Sequence, residues 1–326
     1  MQIYRSLAGV PADFGPCALT IGNFDGVHFG HRRILRRVAA LAAERGWKSA
    51  VLTFDPHPTR VVAPERTPVL LTSPDRRAEL MREEGIQEVL ILPFTAELAR
   101  LSPEEFVRQL LVERLGARAV LVGDNFCFGY RQSGNVALLA QLGPRMGFET
   151  EIVHAVSCRG RMVSSSSIRG LLAAGRVGLA ARLLQHPYAL EGAVVAGRGV
   201  GSKQTVPTLN LAPDGGLVPP CGVYVTRALD PESARQWDAI TNIGYRPTFG
   251  ASDELSIETF LLDPLALGPD GDPPQRLRLE FLWRIRDERK FETAAALKEQ
   301  ILRDVGAAER YFRRLRAWVA QARPGA

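Results

Sequence analysis

The stretch Gly22-Asn-Phe-Asp-Gly-Val-His-Phe-Gly-His31 decides the fold of the N-terminal half of this chain. The apolar run 17–21 before it predicts a strand, and the run 32–45 after it predicts a helix. In this order of strand, glycine-rich turn and helix, backbone N–H groups can approach a phosphate, and the helix N-terminus adds a favourable dipole.

Two histidines stand at the start of the predicted helix. His28 and His31 are three residues apart, so both side chains can project from one face of the first turn. Such a pair suits an anionic group on which charge develops, for example a triphosphate. One alternative is a capped turn with two incidental histidines. Another is a metal site, but zinc needs thiolate or further imidazole ligands at compatible spacing.

Composition and charge narrow the class of protein. The 326 residues can bury two cores, and 46% hydrophobic with 23% charged residues is ordinary for a soluble globular enzyme. No apolar run reaches the roughly 18 residues that span a bilayer, and the first residues show no secretory h-region, so we expect neither a membrane span nor secretion. Four widely spaced cysteines without a C-x-x-C pair predict free thiols in a reducing cytoplasm.

The chain is basic, with a net charge of +6 and a pI near 9.4. This charge leaves a nucleic-acid-binding protein open as one hypothesis, whose signature would be a salt-sensitive affinity. The arginines are scattered, however, and no recognised nucleic-acid module is present. We therefore expect no nucleic-acid partner, because attraction to anionic nucleotides explains the charge equally well.

The first half of the sequence alternates strands with helices. Ser102 as N-cap, Pro103 and Glu105 form a capping box that starts one helix. This alternation predicts a parallel sheet with helices on both faces, and ligands bind beyond the carboxyl ends of such strands. The predicted strands are 17–21, 49–54, 88–94, 119–123 and 149–155, and the predicted helices include 32–45, 76–84, 170–174 and 178–184.

Three further motifs follow predicted strands or begin a helix. In Thr53-Phe-Asp-Pro-His-Pro58, two prolines rigidify the loop that presents His57. In 122–129, Phe126 and Phe128 could line a pocket for a flat ring, although each alone is the kind of residue found in a core. In Val163-Ser-Ser-Ser-Ser-Ile-Arg169, hydroxyls and an arginine at a helix start form a phosphate clamp or a simple cap.

The element His28-Phe-Gly-His31 resembles the signature of the nucleotidyltransferase superfamily, in which the two histidines stabilise the transition state at the α-phosphate of ATP and the leaving pyrophosphate. All four motifs, in this order, resemble the FMN adenylyltransferase module of the bacterial bifunctional riboflavin kinase/FAD synthetases, over residues 15 to 185. The resemblance implies His28 and His31 as catalytic residues. It implies ATP and FMN binding by Asn23, Phe24, Asp25, Gly26, His57, Asn125, Ser164, Ser165 and Arg169. Ser167 stands where this family often has arginine.

The sequence pattern changes from alternating strands and helices to short strands after residue 186, where we place the domain boundary. Short strands separated by Gly and Pro predict an antiparallel barrel, followed by amphipathic helices. The predicted strands are 188–196, 222–228, 237–243, 255–262 and 276–283, and the predicted helices are 293–303 and 307–321.

Residues 187 to 318 resemble the riboflavin kinase domain of the same family, through Pro207-Thr-Leu-Asn210, 242–249, 257–263 and 283–291. The resemblance implies that Glu258 is the general base. It implies ATP binding by Gly197, Gly199, Gly201, Thr208 and Asn210, of which Thr208 and Asn210 would hold Mg²⁺. Leu209 replaces the family's alanine and would crowd the site, and residues 264–274 replace its Asp-Leu-Tyr-Gly.

The resemblance therefore implies a cytoplasmic, two-domain enzyme of domains 1–186 and 187–326. It would convert riboflavin and ATP to FMN and ADP, and then FMN and ATP to FAD and diphosphate, with Mg²⁺ serving both steps. The alternative is an FMN adenylyltransferase whose C-terminal barrel is an inactive flavin-binding or scaffolding module. For this chain we expect flavins and nucleotides as partners and no contact with a membrane. The oligomeric state is left open.

Overall fold

The computed structural model describes residues 1–158, 160–195, 208–248, 251–263 and 273–322. The chain divides into two compact units, Met1–Ser167 and Ile168–Ala326. This division falls inside a helix, and the domain boundary after residue 186 stays a prediction. Within the described part of the chain, no helix combines the length and the apolar character needed to cross a membrane.

The first unit is built from short strands and helices that alternate along the chain. They are β1 (Gln2–Tyr4), β2 (Cys17–Ile21), α1 (Phe29–Arg45), β3 (Lys48–Phe54), α2 (Pro58–Val62), α3 (Pro74–Glu83), β4 (Glu88–Leu92), α4 (Pro103–Phe106), β5 (Ala117–Gly123), β6 (Cys127–Phe128), β7 (Gly134–Asn135), α5 (Val136–Met146), β8 (Glu149–Val153), β9 (Ser157–Cys158) and β10 (Arg161–Met162). A π-helix, Val107–Arg114, continues α4, and the predicted capping box of Ser102 and Glu105 starts α4.

A six-stranded sheet organises this unit, with the strand order β1-β4-β3-β2-β5-β8. Each neighbouring pair of strands is parallel, which confirms the predicted sheet. All five residues of the central strand β2 are buried, as a strand covered on both faces requires. Cys17, Leu19 and Ile21 pack against α4, the π-helix and α5, whereas Ala18 faces the cluster formed with α1 and α3.

The direction of the chain through the sheet changes at β2. From β2 the chain runs to β3 and then to β4 on one side, and it crosses back to β5 on the other side. The loops that follow β2 and β5 therefore diverge and leave a crevice at the carboxyl edge of the sheet. Ligands of open parallel sheets bind at such a switch point. The segments 22–28 and 124–126 lie there, and 55–57 follows the neighbouring β3.

The second unit begins within α6 (Ser165–Ala173). It continues with α7 (Val177–Leu184), β11 (Tyr188–Val195), β12 (Thr208–Pro213), β13 (Gly222–Leu229), β14 (Gln236–Thr248), β15 (Ala251–Leu261), β16 (Arg276–Asp287) and α8 (Ala294–Ala322). The strands form a closed antiparallel barrel in the order β11-β12-β15-β14-β13-β16, closed by the pairing of β11 with β16. The predicted barrel is thus confirmed.

Several details of the predicted elements were wrong or missing. Strand β12 was not predicted, because its short run ends in a proline and its stability comes from pairing with β11 and β15. The two predicted C-terminal helices are one helix, α8. Gly306 costs about 1 kcal/mol inside a helix, and burial of Ala308 and Phe312 against the barrel outweighs it. Helix α6 begins at Ser165 rather than Gly170.

The two faces of the barrel strands differ in what they contact. Thr226, Thr241 and Thr259 are fully buried, and their hydroxyls form a chain with Oγ1–Oγ1 distances of 2.8 and 3.0 Å. The alternate residues of these strands point outward, where Val225 and Ile240 pack against α8. An ion pair fixes the same helix to β16, since the Arg286 guanidinium donates to both carboxylate oxygens of the buried Asp304.

Two glycines of the second unit differ in how closely other backbone atoms approach them. A Cβ at Gly192 in β11 would lie 1.9 Å from the carbonyl oxygen of Ala212 in β12, whereas one at Gly170 in α6 would meet nothing within 4 Å. We expect Gly192→Ala to lower the thermal unfolding midpoint of the full chain strongly, because a backbone carbonyl cannot move aside cheaply. Gly170→Ala should be neutral or stabilising by up to about 1 kcal/mol. Equal midpoints for the two variants would contradict the close approach of β11 and β12.

Candidate active sites

The loop after β2 has a backbone conformation that non-glycine residues rarely adopt. Phe24 has φ 49°, Gly26 φ 82° and Val27 φ 38°, so two non-glycine residues stand in the left-handed region. Phe24 and Val27 are buried, and the Val27 N–H donates to the Phe24 carbonyl at 3.0 Å. Packing therefore holds a conformation that costs about 1–3 kcal/mol per residue, and such local strain is typical of functional loops.

Two stacked imidazoles lie where this loop meets the N-terminus of α1. His28 is the N-cap, and its Nδ1 accepts from the His31 backbone N–H at 3.3 Å. The rings of His28 and His31 stack with centroids 3.6 Å apart and 13° between their planes. The predicted placement of both histidines on one face is thus what the structure shows. Gly30 leaves room for this stack, because a Cβ there would lie 3.2 Å from Cε1 of His28.

Both imidazoles are neutral at pH 7. Burial lowers the pKa of His28 to about 4. Burial, and then the neighbouring His28 and the Arg77 guanidinium, lower the pKa of His31 well below its ordinary value. Since Nδ1 of His28 accepts a hydrogen bond, the proton of its neutral ring is on Nε2, which is then a donor for an anionic oxygen.

A third histidine meets the same loop from the neighbouring strand. His57 is the N-cap of α2, and its Nδ1 accepts from the Thr59 N–H at 3.3 Å. Its Nε2 lies 3.0 Å from the side-chain amide of Asn23. The structure therefore brings together Asn23 and His57, which the sequence places 34 residues apart.

Asp25 supports the loop from within. Its Oδ1 accepts from the backbone N–H groups of Leu71 at 2.8 Å and Thr72 at 3.2 Å, and its side chain is buried. The Gly26 N–H donates to Oγ1 of Thr72 at 3.0 Å. These contacts make Asp25 and Gly26 anchors of the loop, and the assignment of either residue to a phosphate stays a prediction.

The serine-rich turn has its hydroxyls engaged with protein groups. Ser164 Oγ accepts from the Ser167 N–H at 3.1 Å, and the Ser164 N–H donates to Ser167 Oγ at 3.1 Å. The Ser165 hydroxyl donates to the Asp25 carbonyl at 2.9 Å, which joins this turn to the loop after β2. Arg169 lies one turn further along α6. The capping role is thus present, and binding of a triphosphate by Ser164, Ser165 and Arg169 stays a prediction.

The loop after β5 contains one exposed polar residue and two aromatic residues that pack in the core. Asn125 is exposed at the carboxyl edge of the sheet. Phe128 is buried in the core and Phe126 packs against it, with ring centroids 5.4 Å apart. The two aromatic residues therefore serve the core, whereas Asn125 is available to a ligand.

Arg77 of α3 also lies beside these loops, and no sequence motif described above includes it. It is only 2% exposed, and it lies on α3 three and four residues before the buried Leu80 and Met81. A charged residue within an apolar stripe was the signal that could have found it, because such a position is normally apolar.

The second candidate site is a polar row on the outside of the barrel. Asn210 of β12 lies opposite Glu258 of β15, and Glu258 lies opposite Asn242 of β14. Ile240, two residues before Asn242, packs against α8, so this row lies on the outer face. The Ser256 hydroxyl donates to Glu258 Oε1 at 3.1 Å. The structure thus pairs Asn210 and Glu258, which belong to separate sequence motifs.

The donors around Glu258 suit a hard cation. Thr208 and Asn210 are two residues apart on β12 and share a face, and they offer a hydroxyl and an amide oxygen next to the Glu258 carboxylate. Oxygen ligands of this kind fit Mg²⁺. Among the residues described by the structure, no three or more His, Cys, Asp or Glu cluster as a metal site. The predicted ATP-binding glycines Gly197, Gly199 and Gly201 lie outside the described residues.

Comparison with known proteins places both halves in families. Residues 10–167 match the FAD synthetase family, and residues 184–312 match the riboflavin kinase family. A bifunctional riboflavin kinase/FMN adenylyltransferase from Pseudomonas fluorescens is 38% identical, over 94% of this chain and 97% of its own. Proteins of the same name from Escherichia coli and Bacillus subtilis are 33% and 32% identical, each over 91% of this chain and 93% of their own.

A solved structure from Streptococcus pneumoniae, named a macrolide-efflux protein, covers 94% of this chain and 98% of its own with a TM-score of 0.82. At 24% identity it establishes a shared fold alone. The family matches define a two-part flavin kinase and nucleotidyltransferase. The chain belongs to the family of bifunctional riboflavin kinases/FMN adenylyltransferases.

The buried His28 makes stability depend on pH in a definite direction. Its folded pKa is about 4 against an ordinary 6.5, so between these values the unfolded chain binds a proton that the folded chain excludes. Stability should fall as the pH drops from about 6.5 to about 4, by at most about 1.4 kcal/mol per pH unit for this one group. We expect the unfolding midpoint of His28→Asn to change less over this range than that of the wild type. Parallel curves for the two proteins would contradict the burial of His28.

Proposed function

We propose that this enzyme carries out its two reactions with separate sets of residues, one in each half of the chain. The reactions convert riboflavin and ATP to FMN and ADP, and FMN and ATP to FAD and diphosphate. The observation that carries the first assignment is the stack of His28 and His31 at the N-terminus of α1. The second rests on the register that sets Glu258 opposite Asn210.

In adenylyl transfer, the FMN phosphate attacks the α-phosphorus of ATP, and diphosphate leaves. Charge develops on the α-phosphate and on the leaving group. His28 Nε2–H donates a hydrogen bond to these oxygens, and the dipole of α1 favours the same negative charge. Asn23 and His57 orient a phosphate beside them, and Asn125 contacts the flavin or nucleotide. Because the imidazoles are preorganised and desolvated, little reorganisation is needed as charge develops.

In phosphorylation, the primary ribityl hydroxyl of riboflavin attacks the γ-phosphorus of ATP, and ADP leaves. Glu258 accepts the proton of that hydroxyl, and the Ser256 hydroxyl orients the Glu258 carboxylate. Thr208 and Asn210 would hold Mg²⁺, which supplies neutralisation of phosphate charge when bound.

The remaining assignments rest on composition and topology. All four cysteines are free thiols, which suits the reducing cytoplasm where we place the enzyme. We retain domains of 1–186 and 187–326, flavins and nucleotides as partners, and no nucleic-acid partner.

The rival function with an inactive barrel is not favoured by the family. Leu209 was one argument for it, because its side chain was expected to crowd the kinase site. In the barrel, Leu209 is buried opposite the interior residue Thr259, on the other face of β12 from Thr208 and Asn210. The larger side chain therefore fills the barrel instead of crowding the polar row.

The first functional prediction separates adenylyl transfer from phosphorylation. His28→Ala should lose about 3 kcal/mol of transition-state stabilisation, or about a hundredfold in FAD formation, while FMN accumulates at the wild-type rate. The measurement is a time course of FMN and FAD from riboflavin, ATP and magnesium. His186→Ala, which removes a histidine of the second unit, is the control and should leave both products unchanged. Loss of both products in a folded His28→Ala protein would refute the two-site assignment.

The second functional prediction concerns the proton acceptor for phosphorylation. Glu258→Gln keeps the size of the side chain but cannot accept a proton, so the rate of FMN formation should fall by about 10² or more. FAD formation from supplied FMN should stay near the wild-type rate. Glu280→Gln changes another half-buried strand glutamate of the barrel and serves as the control. Phosphorylation by Glu258→Gln at the control's rate would show that Glu258 is only a strand residue.

A further inference from the structure

A buried guanidinium joins the two loops that carry the adenylyltransferase residues. Arg77 Nη1 donates to the Asn23 carbonyl at 2.6 Å and lies 3.3 Å from Thr53 Oγ1. Its Nη2 donates to the Phe54 carbonyl at 3.5 Å. The side chain therefore bridges Asn23, in the loop after β2, and Thr53 and Phe54 at the carboxyl end of β3.

The chemistry of these contacts is unusual for a buried arginine. Among the described residues, no carboxylate lies within ion-pair distance of Arg77, although Asp25 and Asp55 favour its charge from further away, and its Nε is buried without a hydrogen-bond partner. Arg32 of the same unit is also buried but is paired with the Glu84 carboxylate. An unpaired buried charge is costly, since it loses its hydration without a counter-charge in contact. If Arg77 served stability alone, an apolar side chain at this position would avoid the free-energy cost of burying a charge.

We propose that Arg77 is a positioning residue for adenylyl transfer, whose guanidinium fixes the Asn23 and Phe54 carbonyls and thereby sets the contact between the Asn23 and His57 side chains. This inference rests on the proposed adenylyltransferase site. The planar fork of arginine presents two donor arms to one carbonyl in the loop after β2 and one at the end of β3, and the single ammonium of lysine cannot reproduce that geometry. The Asn23 carbonyl that Arg77 holds belongs to the residue whose amide lies 3.0 Å from His57 Nε2.

The test compares Arg77→Lys with Arg114→Lys in the full-length protein. Arg114 is a matched control, because its guanidinium also binds backbone carbonyls of this unit, those of Leu7 and Val10, away from the loops of the site. We expect Arg77→Lys to lower kcat for FAD formation from FMN by about a hundredfold, as a misplacement of roughly 1 Å does, with a much smaller change in KM. Arg114→Lys should keep the wild-type kcat, and both variants should keep the wild-type rate of FMN formation.

A double-mutant cycle distinguishes positioning from a general loss of packing. If Arg77 acts through His57, adding Arg77→Lys to His57→Ala should cost far less than it does in the wild type. Losses that multiply independently would overturn the proposal. So would a wild-type kcat in Arg77→Lys, or an equal fall of both activities with a lowered unfolding midpoint.

A measurement that needs no catalysis tests the role of Arg77 independently of the proposed function. In NMR spectra recorded without nucleotide, the His57 ring resonances should shift in Arg77→Lys and not in Arg114→Lys. A wild-type protein that makes no FAD would refute the proposed function, and the His57 resonances would still decide whether Arg77 sets the loop. Unmoved His57 resonances in a folded Arg77→Lys protein overturn the inference itself.

Discussion

The parallel pairing of β2 with β3 on one side and β5 on the other is the constraint on which the first site depends. It directs the loops after β2 and β5 apart and places the loop after β3 beside them. Full burial of β2 fixes its register, because a slip of one residue would exchange the side chains facing the two cores. The strained backbone of Phe24 and Val27 is held in place on this rigid base, and it delivers His28 and His31 as a stacked pair.

In the barrel, the alternation of strand residues has a comparable effect. One face supplies the interior, including the fully buried threonine hydroxyls, and the other supplies the polar row and the apolar contacts with α8. Closure of the barrel brings β12 next to β15, which sets Asn210 opposite Glu258. The ion pair of Arg286 with Asp304 holds α8 beside this outer face.

Electrostatics distinguishes the histidines from ordinary phosphate-binding groups. Burial keeps His28 and His31 neutral, and the His28 ring presents an Nε2–H donor before any anion arrives. A triphosphate would favour their protonated forms, since an opposite charge stabilises the imidazolium. Under the proposed function, the anion enters and leaves this site, unlike the permanent ion pair of Arg32 with Glu84.

The amino-acid sequence by itself determined the fold class, the nucleotide motifs and the placement of His28 and His31, because strand and helix periodicity and turn chemistry are local properties. It also identified Asn210 and Glu258 as separate candidates. Only the tertiary structure decided that Asn23 meets His57, that Asp25 anchors residues 71–72, and that Leu209 faces the barrel interior. It alone revealed strand β12 and the contacts of Arg77. These features depend on strand pairing and on buried contacts between segments distant in sequence, and a local pattern can mark a residue such as Arg77 without revealing its partners.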